Sequence, residues 1–181
     1  VIKKAIIELN SIVVEEAVVR VNATIRCQNG LITGAYYVIN SSEPRNIPAR
    51  DGAYDFSVEV MVVEINASSF NEGYYILRIR GVSESAYTKW LNITLRVRTL
   101  VPRYHIIALT LKPYGVFKAS DLAKAIGPSL SAIWRWNYEK QKFEAYIPGV
   151  SDSSSDFELV LGEGYFIYMK KTAKWVEVGK P

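Results

Sequence analysis

Trp134, Trp136 and Tyr138 alternate with Arg135 and Asn137, which places three rings on one face of a strand. Four polar residues, Glu139 to Lys142, separate this run from a returning strand, Phe143 to Ile147. Rings aligned on a hairpin can stack on the apolar side of a sugar. They can also fill the core of a small β domain or form a protein interface. The part of the chain that carries them, 104–181, is too short to build a core without large side chains, and it contains no cysteine pair. That places the stripe in the core, with Phe166 and Trp175 as neighbours. A sugar platform formed by Trp134, Trp136 and Tyr138 is the alternative.

Other reactive residue types are sparse. His105 is the only histidine, and it sits beside Ile106 and Ile107, so a histidine-based triad or a histidine-rich metal site has no material to work with. Cys27 is the only cysteine. It shares the parity of Val19, Val21, Ala23 and Ile25 and reads as a small buried hydrophobe rather than a reactive thiol. Gly162 and Gly164 in "GEGYF" lack the third glycine and the helix of a phosphate loop, so they read as a turn. Asp152, Asp156 and Glu158 surround a serine cluster and are the weak calcium candidate, although their spacing departs from a calcium-loop pattern. No carboxylate pair has a context for acid–base work. The expectation is a protein with no catalytic residues and no cofactor.

Four sequons stand out: Asn22-Ala-Thr, Asn40-Ser-Ser, Asn66-Ala-Ser and Asn92-Ile-Thr. With nine asparagines and 22 serines and threonines among 181 residues, random placement gives about one such triplet. The excess predicts a glycosylated exterior protein. The N-terminal run "VIKKAIIEL" is apolar and β-prone through Ile2, Ala5, Ile6, Ile7 and Leu9. Such a strand either opens its own sheet or leaves as a donor strand that completes a neighbouring copy. The chain opens without an initiator Met or a signal peptide, so it reads as a processed mature protein or an excised fragment. Its 22 basic and 18 acidic residues form no basic block, which argues against nucleic acid as a partner. No apolar run reaches membrane-span length. Gln, Met and Cys are scarce, as in thermophile proteins.

The elements that must position these residues are nearly all strands. Val18–Arg26, Gly34–Ile39, Asp55–Ile65, Tyr74–Arg80 and Lys89–Arg98 alternate or are β-branched, with turn chemistry between them. In Asp55–Ile65, Phe56, Val58, Val60 and Val62 oppose Ser57, Glu59 and Met61. The fold class is all-β: an immunoglobulin-like sandwich over 1–100, then a small β-rich domain over 104–181. Thr99 to Arg103, with Pro102, forms the junction. The second domain has one short helix in "KASDLAKAIG", with Ser120 as N-cap, Asp121 in the first turn and Gly127 as its stop.

"DGAYDFSVEVMVVEINASSFNEGYYILRIRGVSES" resembles the fibronectin type III-like and immunoglobulin-like modules of prokaryotic surface proteins and secreted hydrolases, although "VSESAYTKW" departs from their usual continuation. "ASDLAKAIG", "IWRWNYEKQKFEAYIPG", "DFELVLGEGYFIYM" and "KWVEVG", in that order, resemble a small module recurrent at the ends of secreted archaeal and bacterial proteins. These resemblances imply an extracellular or cell-surface location and spacer or adhesive roles. The resulting expectation is a non-enzymatic structural subunit of a prokaryotic, archaeal surface filament, thread or surface layer, a homo-oligomer or polymer joined by N-terminal strand exchange. The alternative is a carbohydrate-binding or accessory region of a secreted hydrolase.

Overall fold

A computed structural model of the chain describes residues 4–84 and 86–181. The protein is mostly β, with several antiparallel sheets and one α-helix among the described residues. It divides into two compact units. The first comprises Val1–Val13, Val19–Ile65 and Tyr75–Thr94; the second comprises Val14–Val18, Asn66–Tyr74 and Leu95–Pro181. A division at 1–100 and 104–181 therefore differs from the spatial one at 14–18, 66–74 and 95–100.

Residues 4–100 form β1 (Lys4–Glu15), β2 (Val18–Gln28), β3 (Ile32–Ile39), β4 (Arg45–Asn46), β5 (Val58–Asn66), β6 (Gly73–Ser83) and β7 (Leu91–Leu100), mostly in the first unit, while 14–18, 66–74 and 95–100 belong to the second. One sheet runs β1-β2-β5 and another runs β7-β6-β3-β4. Val19, Val21, Ala23, Ile25 and Cys27 of β2 are all buried, as their shared parity requires. The sheets approach closely at Gly81, where an added Cβ would lie 2.7 Å from the Ile25 side chain. In β5 the parity that faces inward is Met61, Val63 and Ile65, with Glu59 buried beside them, while Phe56, Val58 and Val62 are exposed. Glu59 tolerates burial because its Oε1 accepts the Asp55 and Phe56 amides at 3.1 and 2.9 Å. The outward face of this sheet is laced with pairs: Arg20 with Glu64 at 2.8 Å and Arg26 with Glu8 at 3.3 Å.

The second unit contains β8 (Arg103–Ile107), helix α1 (Ala119–Ile126), β9 (Leu130–Asn137), β10 (Lys142–Tyr146), β11 (Tyr165–Met169) and β12 (Ala173–Gly179). Four of its strands make an antiparallel sheet in the order β10-β9-β11-β8, and β12 pairs with β7. The core lies on one face of that sheet. Ile107, Leu130, Ile133, Tyr165, Ile167 and Met169 pack there with Leu122, Ala125 and Ile126 of α1 and with Trp175 of β12.

Helix α1 begins at Ala119 with Lys118 at the N-cap, two residues earlier than the expected Ser120 cap requires. Asp121 accepts the Lys118 amide at 2.9 Å, and the Ser120 amide and hydroxyl both donate to Asp156 at 2.8 Å. A carboxylate from 36 residues downstream has thus taken the capping task that a local serine would perform. Gly127 ends the helix at φ 83°. Two of the last helical carbonyls, those of Lys124 and Ala125, accept the amides of Glu16 and Ala17 at 3.0 and 3.3 Å. Glu16 and Ala17 form the β1–β2 turn with φ of 47° and 64°. Both amides are anchored where non-glycine residues hold left-handed geometry.

Candidate functional site

β9 alternates as its residues predict, but it faces the other way. Ile133 is buried, Trp134 is half-buried, Trp136 is 46% exposed, and Tyr138 in the turn is 80% exposed. The expectation that Trp134, Trp136 and Tyr138 fill the core is therefore wrong. Of the two expected neighbours, Trp175 is fully buried, whereas Phe166 lies on the exposed side. The core is filled instead by Trp175, Tyr165 and the aliphatic residues of the opposite parity. Tyr165 can be buried because its hydroxyl accepts the Val160 amide at 2.7 Å and donates to Glu163 at 3.0 Å. Burial, opposed by the Val160 hydrogen bond and reinforced by Glu163, pushes its pKa up to about 12.

The sheet register shows what accompanies the stripe. Phe143 lies opposite Trp136 and Ala145 opposite Trp134. On the other side of β9, Phe166 lies opposite Trp134 and Tyr168 opposite Ala132. Across β11, Ile106 faces Phe166 and Tyr104 faces Tyr168. Directly opposed residues share a face, so Tyr104, Ile106, Trp134, Trp136, Phe143, Phe166 and Tyr168 form one continuous surface. Tyr104 is 66% exposed, Ile106 70% and Phe143 52%. Tyr104, Trp134, Phe143 and Phe166 line a shallow depression of about 470 Å³. Two ring pairs meet edge-on, Trp136 with Phe143 at 5.0 Å and 71° and Phe143 with Phe166 at 5.7 Å and 82°. Tyr104 bridges the rest, 4.8 Å from Tyr168 and 6.0 Å from Trp134. Among the described residues, no carboxylate, ammonium or guanidinium side chain is placed on this face by the strand register.

The hairpin that carries the surface is held from its other side. Arg135 donates to Glu144 through Nε at 2.9 Å and Nη2 at 2.7 Å, and Asn137 and Lys140 donate to the same carboxylate at 2.9 Å. The hydrogen bonds from Lys140 and Arg135, with that from Asn137, draw Glu144 down to about 2. Arg135 also covers the Phe157 ring, 4.7 Å from its centre. A polar cleft of about 380 Å³ lies here, lined in part by Arg135, Lys142, Glu144, Ser154 and Ser155.

The remaining predicted residues separate. Asp152 accepts the Ser154 and Ser155 amides and the Ser154 hydroxyl, which lower its pKa, and Asp156 caps α1. Glu158 lies in a bridge with Lys118. Among the described residues no three His, Cys, Asp or Glu side chains come together to hold a metal, so the calcium candidate is not assembled. Its two aspartates are engaged in organising local backbone. His105 Nε2 donates to the Val101 carbonyl at 2.8 Å.

Asn40, Asn66 and Asn92 are exposed and Asn22 is half-buried. Asn66 Oδ1 accepts the Ser68 amide at 3.0 Å, Asn40 Oδ1 accepts the Ile76 amide at 2.8 Å, and Asn22 Oδ1 accepts from Asn10 at 3.3 Å. The Thr24 hydroxyl of the Asn22 triplet is buried and accepts Asn10 Nδ2 at 2.8 Å. Ala5, Ile6, Ile7 and Leu9 lie in β1, hydrogen-bonded to β2 of the same chain; Ile2 lies outside the described residues.

No protein-family model, curated protein or solved structure matches the chain.

Proposed function

We propose that the chain is a non-enzymatic structural subunit of an extracellular prokaryotic surface assembly, and that it engages its protein partner through the outward face of the β10-β9-β11-β8 sheet. The observation that carries this reading is a sheet apolar on both faces. An antiparallel sheet at a domain surface ordinarily pairs an apolar face with a polar one. Contiguous exposed apolar surface on this scale marks interaction sites. The sequon excess and the resemblance of both halves to modules of surface and secreted proteins support the extracellular placement.

A sugar platform fits this face less well. A pyranose stacks on a flat ring while its hydroxyls find hydrogen-bond partners, and unpaired hydroxyls are costly to desolvate. Here two ring pairs stand edge to face, and the depression is lined by four aromatic side chains alone. Strand exchange is not needed either, since β1 has its partner in β2.

The test is sedimentation of the protein with envelope material from the producing cells. A Trp136→Lys, Phe143→Lys variant should melt as the wild type does and fail to co-sediment. Undiminished co-sedimentation of that variant would contradict the reading. Intact-mass measurement of native protein should show glycan at the exposed Asn40, Asn66 or Asn92 before Asn22; unmodified mass at all four removes the support taken from the sequons.

A further inference from the structure

The aromatic face has a surface that matches it in chemistry, namely its own copy. Resting on the reading that this face engages a protein, we propose that its occupant is a second copy of the chain, with the two β10-β9-β11-β8 sheets packed face to face about a twofold axis.

Three observations point to this occupant. The first is charge. A twofold interface brings each group against its own surroundings, so a charged face would meet like charge or bury it unpaired. None of the side chains that the register places on this face is charged at neutral pH, and its polar atoms are the tyrosine hydroxyls and indole N–H groups at ring edges, which can reach solvent at a rim.

The second is area. Aromatic side chains bury about 150–250 Å² each, so the exposed fractions of Tyr104, Trp136, Phe143, Phe166 and Tyr168, with Ile106, amount to on the order of 600 Å² per copy. Two copies then reach the roughly 1,200 Å² at which specific interfaces begin.

The third is shape. The same sheet holds both a hole and a knob: the depression between Tyr104, Trp134, Phe143 and Phe166, and Ile106, the most exposed large hydrophobic side chain of the strands that build the face. In an isologous contact, the knob of each copy enters the hole of the other. Sheets packed face to face about 10 Å apart interdigitate their inner side chains in this way.

The test is sedimentation equilibrium of the full chain across a concentration series, with Trp136→Lys and Ile106→Lys variants whose melting temperatures are measured alongside. The wild type should dimerise at micromolar concentration. Each lysine should weaken the dimer by at least roughly thirty-fold, the effect of losing a central hot spot, while the melting temperature measured in protein dilute enough for the wild type to be monomeric stays unchanged. A wild type that stays monomeric throughout overturns self-pairing. If that monomer still co-sediments with envelope through Trp136 and Phe143, the partner-binding reading stands without it; if it does not, both fall. Lysine variants as dimeric as the wild type also overturn the proposal.

Discussion

The β1-β2-β5 sheet of the first unit and the β10-β9-β11-β8 sheet of the second each bury one face, and they treat the other face in opposite ways. On the first, exposed Val58 and Val62 are interleaved with the Arg20–Glu64 and Arg26–Glu8 pairs. Exposed ion pairs contribute little stability, about 0–1 kcal/mol each, but they make a face costly to cover, because covering it would desolvate charge. On the second sheet, seven apolar or aromatic side chains adjoin with no charge among them. Such a face loses nothing by being covered. The difference lies in the polar residues rather than in the hydrophobic ones: both sheets expose apolar groups, and only one omits the charges that keep partners away.

Deleting buried side chains of the second unit and exposed ones on its open sheet face separates stability from association. Trp175→Ala should cost roughly 3–5 kcal/mol, since it empties a fully buried site in the core, and denaturant unfolding would register it. Glu177→Ala comes next. That buried carboxylate accepts the Thr110 hydroxyl at 3.0 Å and the Leu111 amide at 2.7 Å, along with the Thr110 amide. Leaving those donors unpaired should cost roughly 2–4 kcal/mol. Trp136→Ala on the open face should change unfolding by less than about 1 kcal/mol, and a larger loss would return the stripe to the core.

The smallest effect is on pH. Glu144 sits below its unfolded pKa, so its contribution is fully present above about pH 4.5 and is lost as pH falls through the folded value of about 2. Acid melts should show the Glu144→Gln variant with a flatter pH dependence than the wild type across that window. Parallel curves would mean the Arg135–Glu144–Lys140 cluster does not hold the hairpin.

The all-β class, the Trp hairpin and the single helix were legible because alternation, turn residues and the Gly127 stop act locally. The inward direction of a strand is not a local property. Trp134 and Trp136 read as core because a small domain needs large side chains, and Trp175 and Tyr165 met that need from elsewhere in the sequence. Which parity of β5 faces inward was equally undetermined by local pattern: Glu59 is buried because the Asp55 and Phe56 amides satisfy it. The rest of the face had a faint signal. "YFIYM" is apolar on both parities, which is the pattern of a strand covered on two sides. Ser120 and the Glu16–Ala17 turn were out of reach, because their partners, Asp156 and the end of α1, are brought together only by tertiary structure.

Hydroxyl-radical footprinting of the full chain, read residue by residue by mass spectrometry in dilute and in concentrated protein, tests the central claim most directly. Tyr104, Trp136, Phe143 and Tyr168 should be oxidised in dilute protein and protected as concentration rises, while Trp175 and Tyr165 stay unreactive throughout. Trp136 and Phe143 as unreactive as Trp175 at the lowest concentration would show that the chain itself covers this face. Equal reactivity at every concentration would show that no second copy does.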